Sequence, residues 1–171
     1  MRSDNKIIIA IPIYRKEPTE SEIISLQRVI KILQQYDFSM VCPKSLVVTP
    51  YIKCFEKVDL KVLVERFEDS YFQSIEGYNR LMLSIEFYSR FTAWNYVIIH
   101  QLDCFVFKDE VMKWVKADYD YIGSPWVNYE RPLNFYKSLI YSRWRALSLF
   151  KKSIDFNRGE KVHVGNGGFS I

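Results

Sequence analysis

Apolar residues fall into two kinds of run along this chain. Residues 6–14, K-I-I-I-A-I-P-I-Y, are almost continuously apolar and rich in β-branched side chains, the pattern of a short strand buried on both faces. Pro12 has no amide hydrogen for a ladder, so the strand is expected to end there and residues 13–18 to form a loop at its carboxyl end. Thr19 and Glu22 then make a T-x-x-E capping box, and Ile23, Leu26, Ile30 and Leu33 recur at helical spacing up to about Tyr36. Residues 38–42 and 46–48 read as extended segments broken by Pro43, and residues 60–64 as a further strand ending at Glu65 and Arg66.

The helical period returns in residues 74–91 through Ile75, Tyr78, Leu81, Met82, Ile85 and Tyr88, predicting one helix with Asn79 and Arg80 on its turns. It leads into a second apolar run, residues 96–107, Y-V-I-I-H-Q-L-D-C-F-V-F, read as a central strand. A short helix over residues 108–116 follows, with Asp109 as N-cap and Val111, Trp114 and Val115 as its buried stripe. Residues 119–123 look like another strand, broken by Ser124, Pro125 and Trp126. A last helical stripe runs through Tyr136, Leu139, Ile140, Trp144, Leu147 and Phe150. Alternating strands and helices predict an α/β fold, a mostly parallel sheet flanked by helices. No internal repeat, low-complexity stretch or linker interrupts it, so residues 1–171 are expected to form a single domain.

Composition narrows the picture. A chain of 171 residues that is 49% hydrophobic and 26% charged has the make-up of a folded globular protein. Cys42, Cys54 and Cys104 are an odd number without metal-site spacing, and the amino-terminal residues lack the apolar stretch of a secretion signal. Both point to a reducing, cytoplasmic compartment. No run approaches the roughly 20 apolar residues of a membrane span. The net charge of +4 is unevenly divided: residues 1–124 carry 16 Lys/Arg and 17 Asp/Glu, a net of −1, whereas residues 125–171 carry 8 and 3, a net of +5. The basic aromatic segment, about residues 125–160, is either a solvated face with a core stripe or, from Leu133 to Lys152, a helix lying on the anionic inner face of a membrane.

The candidate chemistry centres on Asp103, a carboxylate delivered inside the second apolar run. Desolvating a carboxylate costs several kcal/mol unless it is paired, hydrogen-bonded or metal-bound. It is either a strand-end acid capping a loop or a ligand-binding acid at the carboxyl end of a central strand, where open α/β sheets place their sites. In the loop after the first strand, Tyr14 offers an aromatic face beside the cations Arg15 and Lys16, groups suited to a base and a pyrophosphate. The terminal H-V-G-N-G-G-F-S-I, residues 163–171, sets glycines around Asn166 that permit close backbone approach to a ligand; a plain turn would use the same residues. The phosphate-loop, dinucleotide and nucleophile-elbow motifs are missing, and His100, His163 and the cysteines lack zinc-ligand spacing. Basic residues interleave with aromatics only near residues 133–152, so no nucleic-acid partner is expected.

Taken together, the Q-L-D-C-F-V-F run, the D-Y-D-Y-I-G-S-P-W of residues 118–126, the terminal G-N-G-G-F-S and the I-E-G-Y-N-R-L-M helix resemble nucleotide-sugar-dependent glycosyltransferases of the GT-A fold. More specifically, they resemble a poorly characterised glycosyltransferase-like group with the Q-L-D-x-F-V-F pattern. The resemblance implies a GT-A-like, Rossmann-like sheet that binds a nucleotide-sugar donor across the carboxyl ends of its first strands and passes the sugar to a glycan or glycolipid acceptor, as in polysaccharide biosynthesis. Carried over by position, Tyr14, Arg15, Asn79, Arg80 and Asp103 take donor-binding roles, and Asn166, Gly167 and Gly168 shape the sugar or acceptor pocket. Asp103 also takes the place of a ligand to Mn²⁺ or Mg²⁺. The residue two positions on, where a D-x-D motif has its second acid, is Phe105, so phosphate oxygens, waters or another protein oxygen must complete the shell. The chain stops directly after the glycine-rich motif, where the resemblance leads one to expect a later acidic motif, so either truncation on the acceptor side or donor binding without efficient turnover is expected, and the general base stays unassigned. Two other readings stay open: a non-catalytic carbohydrate- or nucleotide-binding module, and a peripheral domain for anionic lipid.

Overall fold

The computed structural model describes residues 6–117, 119–123 and 169–170, all within one compact unit made of residues 1–124 and 166–171. The basic segment 125–160, including the Leu133 to Lys152 stripe, and the pocket candidates Asn166, Gly167 and Gly168 lie outside the described residues.

The first strand, β1 (Ile7–Pro12), is the sheet's centre and ends at the proline as its sequence predicts. Its alternating side chains divide between two cores, as the period of two requires. Ile7, Ile9 and Ile11 join Phe38, Met40 and Ile98 on one face, under Leu26, Val29 and Ile30 of α1 (Glu20–Ile32) and Tyr51 and Phe55 of α2 (Thr49–Glu56). Ile8 and Ala10 point the other way, into a cluster with Leu81, Met82, Phe87 and Phe91 from α3 (Ile75–Met82), α4 (Ile85–Ser89) and the turn after α4. Burial on both faces explains the unbroken apolar run, and each isoleucine side chain so buried contributes about 1.5–3 kcal/mol.

Beside β1 lie β2 (Asp37–Pro43) and β4 (Tyr96–His100), and β3 (Val62–Phe67) follows β2. The order is β3-β2-β1-β4-β5, with the first four strands parallel and the two-residue β5 (Phe169–Ser170) antiparallel to β4. The protein is therefore α/β, with a mostly parallel sheet between helical layers. Among the described residues no helix is long and apolar enough to cross a membrane.

The capping box forms as its spacing dictates: the Thr19 hydroxyl accepts from the Glu22 amide at 3.3 Å and the Glu22 carboxylate accepts from the Thr19 amide at 2.7 Å. Elsewhere the structure corrects the sequence reading. Residues 46–48 form no strand; they lead into α2, whose start is favoured by Pro50 in its first turn and whose buried Tyr51 and Phe55 are spaced i, i+4. β3 runs through Glu65 and Arg66 to Phe67, because the Arg66 guanidinium finds partners in the β2–α2 loop, donating to the carbonyls of Pro43, Lys44 and Leu46 at 3.1, 3.0 and 2.9 Å. The expected helix over 74–91 is two helices. Ser84 divides them, its hydroxyl donating to the Leu81 carbonyl at 2.7 Å and accepting from the Phe87 amide at 3.1 Å, so that it closes one helix and caps the next. In α5 (Val111–Val115) the cap position is Glu110, and Asp109 does its work from one residue earlier by accepting from the Val111 amide at 2.9 Å. Residues 119–122 are irregular, with bridge pairing only at Gly123.

Candidate functional site

The second apolar run is the site's main correction. Only residues 96–100 of it are strand; the chain then turns, the Cys104 amide donating to the Gln101 carbonyl at 3.0 Å. Leu102 is buried, whereas Asp103 is exposed at the tip of the turn. An exposed carboxylate keeps its hydration, so the desolvation argument that singled out Asp103 does not apply to it. What distinguishes the residue is position. Strands added in one direction from β1 give β2 and β3, and β4 lies on its other side. The order reverses between β1 and β4, and open sheets of this kind bind ligands at such a reversal, beyond the carboxyl ends of the strands. Tyr14 and Arg15 leave the end of β1, and Asp103 leaves the end of β4.

Both loops are tied down from behind. On the β1 side, Tyr14 is 56% exposed and the Arg15 guanidinium lies over its ring, 5.6 Å from the centroid. The Arg15 carbonyl accepts a hydrogen bond of 3.0 Å from the hydroxyl of Tyr51, a buried side chain of α2. Burial, followed by the charge of Glu22, pushes the Tyr51 hydroxyl up to about 12, so it remains a donor. On the β4 side, Ser25 of α1 donates to the Cys104 carbonyl, and Arg28, one turn on, donates from Nε to Val106 O and from Nη2 to Phe107 O, both at 2.9 Å. Because the single Ser25 proton goes to that carbonyl, its 3.4 Å contact with His100 makes His100 Nε2 the donor. His100 is fully buried, and burial pushes its pKa down to about 4 against the opposing effect of Asp103. Burial first, then the charge of Asp103, raises the Cys104 thiol. Phe105, at the second-acid position, sits under the Arg28 guanidinium, 5.5 Å away.

Between the loops stands Tyr78 of α3. Gln101 Nε2 donates to its hydroxyl at 2.9 Å. Burial dominates in pushing that hydroxyl up to about 12, Gln101 acts against it, and Asp103, Tyr88 and Tyr14 add to the rise in that order. Tyr14 and Asp103 thus both lie within electrostatic reach of one phenol. Asn79 is half-buried beside it. Arg80 is two residues along the helix, about 200° around its axis, and its guanidinium lies over Tyr71, 5.6 Å from the ring centroid, while the Tyr71 hydroxyl donates to Glu86 at 3.1 Å. Tyr14 and Asp103 therefore both lie near the Tyr78 hydroxyl at the strand-order reversal, with Arg15 against the Tyr14 ring, and Arg80 is held on another face of α3. A separate groove of about 440 Å³ between α1 and α2, with Ile23, Pro50 and Cys54 in its walls, contains none of the residues nominated from sequence.

Among the described residues no three His, Cys, Asp or Glu side chains gather to hold a metal. Asp103 supplies one carboxylate, a donor set that suits an ion carried in by phosphates: Mg²⁺ in nucleotide sites commonly takes one or two protein carboxylates, with phosphate oxygens and waters filling the remaining positions.

Tyr78 and Gln101 were the residues sequence reasoning passed over. Tyr78 fell on an apolar helical stripe and counted as core; the signal available was its hydroxyl, which a buried tyrosine must satisfy. Phe169 pairs with His100, which brings the end of the glycine-rich motif into register with the last residue of β4. No curated protein gave a significant match to this chain. Residues 61–171, from the start of the β3 region through β5, match a family model described as "Protein of unknown function (DUF5672)". That match takes in Tyr78, Gln101, Asp103 and the glycine-rich motif and covers more than half of the chain, which belongs to the DUF5672 family.

Proposed function

We propose that this protein is a glycosyltransferase of GT-A type, or the donor-binding portion of one, that takes a nucleotide sugar into the crevice between β1 and β4 and delivers the sugar to a glycan or glycolipid hydroxyl. The observation that carries the reading is the pairing across the strand-order reversal of an aromatic–cation loop, Tyr14 and Arg15, with a single exposed carboxylate, Asp103. Each group has a counterpart in such a donor. The Tyr14 ring offers a stacking surface for the base, Arg15 a charge-assisted partner for the diphosphate, and Asp103 an acceptor for hydroxyls or a ligand for a phosphate-borne cation. In the transfer the acceptor oxygen bonds to the anomeric carbon, the bond from that carbon to the phosphate oxygen breaks, and the acceptor proton passes to a base. Mn²⁺ or Mg²⁺, when bound with the diphosphate, offsets the charge that develops on the leaving group.

Calorimetric titration of uridine and guanosine diphosphates and their hexose conjugates, with and without Mn²⁺, tests the reading. The wild-type protein is expected to bind one nucleotide series, and Asp103→Ala to weaken that binding by about tenfold or more. If Mn²⁺ leaves the affinity unchanged, Asp103 acts on hydroxyls and not through a metal. Absence of binding to every member of the panel refutes the proposal. Phe105 at the second-acid position favours a second reading, a binding module without turnover. It is distinguished by donor binding with neither hydrolysis nor transfer.

A further inference from the structure

We infer that Tyr78, held by Gln101, is the residue with which the crevice reads a hydroxyl-bearing part of its ligand: its phenolic O–H donates to one oxygen of a vicinal diol while Asp103 accepts from the other. The inference rests on the donor-binding reading above and goes beyond it by assigning a specificity-determining residue.

The geometry starts from the hydrogen bond of 2.9 Å in which Gln101 Nε2 is the donor and the Tyr78 oxygen the acceptor. A phenol that accepts in one bond still has its own proton to give. Among the described residues no acceptor takes it, and a partly buried donor without an acceptor is costly unless water or a ligand supplies one. The Gln101 bond also orients the hydroxyl, because it occupies one lone-pair direction of the oxygen. Gln101 and Asp103 belong to the same turn after β4, whose backbone Ser25 and Arg28 hold against α1. Tyr78 projects from α3, whose start is fixed by the Ser74 cap and by the close approach of Gly77 to the preceding turn. The donor and the carboxylate acceptor therefore sit on two independently anchored elements. An O–H donor whose partner Gln101 lies two residues from a carboxylate in the same turn complements adjacent hydroxyls, each of which both donates and accepts. A phosphate, which at neutral pH only accepts, would gain from Tyr78 and be repelled by Asp103. Sites built this way reject analogues that lack the hydroxyl, since their polar groups are then left unpaired.

A diol can come from the ribose or from the transferred sugar, and the two are separable with uridine diphosphate, its 2′-deoxy analogue and its glucose conjugate, or the guanosine set if that series binds. Tyr78→Phe keeps the ring and removes the hydroxyl. If the ribose is read, wild type prefers the ribonucleotide over the deoxy form by about tenfold and Tyr78→Phe abolishes that preference. If the sugar is read, Tyr78→Phe leaves the diphosphate alone and weakens only the sugar conjugate, by about the same factor. Gln101→Glu is the companion variant: its carboxylate captures the Tyr78 proton and is expected to reproduce the Tyr78→Phe discrimination pattern with the phenol still present. Equal affinities for all three ligands in wild type and Tyr78→Phe overturn the inference while leaving donor binding intact. If wild type binds none of them, the donor reading fails and the inference fails with it.

Discussion

Gly77 is the position where one added carbon should disturb both stability and the crevice. A Cβ built there lies 2.7 Å from the Ser70 carbonyl oxygen and 2.9 Å from that of Tyr71, whereas ordinary contact begins at 3.4 Å. Both neighbours are backbone atoms in the short 3₁₀ helix of residues Asp69–Phe72, so no side chain can swing aside, and the carbonyls must retreat by about 0.5–0.7 Å, the shortfall from that contact distance. Overpacking of this kind costs about 1–3 kcal/mol. Against it, alanine is favoured over glycine in a helix interior by about 1 kcal/mol, and by less here because Gly77 lies in the first turn. Gly77→Ala is therefore expected to be less stable by about 1–2 kcal/mol, which lowers the urea midpoint by about 0.5–1 M at a slope near 2 kcal/mol/M. Tyr78 is the next residue, so ligand affinity should fall as well. The assay is urea unfolding followed by tryptophan fluorescence, with the slope checked for constancy. A midpoint equal to or above that of wild type would show that the turn yields freely and that helix propensity alone remains, refuting the packing argument.

Two further outcomes follow from groups the structure buries or clamps. His100 has a folded pKa pushed down to about 4 by burial, below the 6.5 of a free imidazole. The unfolded chain thus binds a proton first as pH falls, and the stabilisation, complete above about pH 6.5, is lost progressively down to about pH 4 and amounts to about 3 kcal/mol. His100→Gln should flatten that part of the stability profile; an unchanged slope between those pH values would remove His100 as its source. Arg66→Met deprives three loop carbonyls of one charged donor and is expected to cost about 1.5–3 kcal/mol, read as a lower urea midpoint, with faster amide exchange in residues 44–46. A midpoint within error of wild type would mean that water replaces the guanidinium.

What could be read from the linear chain was whatever neighbouring residues decide among themselves. The two-sided burial of β1, its end at Pro12, the Thr19 capping box and the α/β class all follow from periodicity or from hydrogen bonds between residues a few positions apart. The same local reasoning failed where a partner lay far away in sequence or where a single polar side chain acted as punctuation. Ser84 splits a continuous apolar stripe, and Arg66 stays in β3 because carbonyls some 20 residues earlier receive its guanidinium.

For the candidate site the division is sharper. Sequence nominated Tyr14, Arg15 and Asp103 separately, each by residue type, and for Asp103 on a burial argument that its exposed turn does not support. Their convergence required the pairing of β1 with β4, anchored by the Lys6 amide donating to the Asn95 side chain across a separation of 89 residues. It also required the reversal of strand order at that pair. Tyr78 acquired its place only when α3 packed over the second face of the sheet and set its hydroxyl against Gln101. Apolar periodicity states which side of an element is buried; which elements then meet, and which polar groups they bring together, is settled by long-range packing that no local pattern encodes.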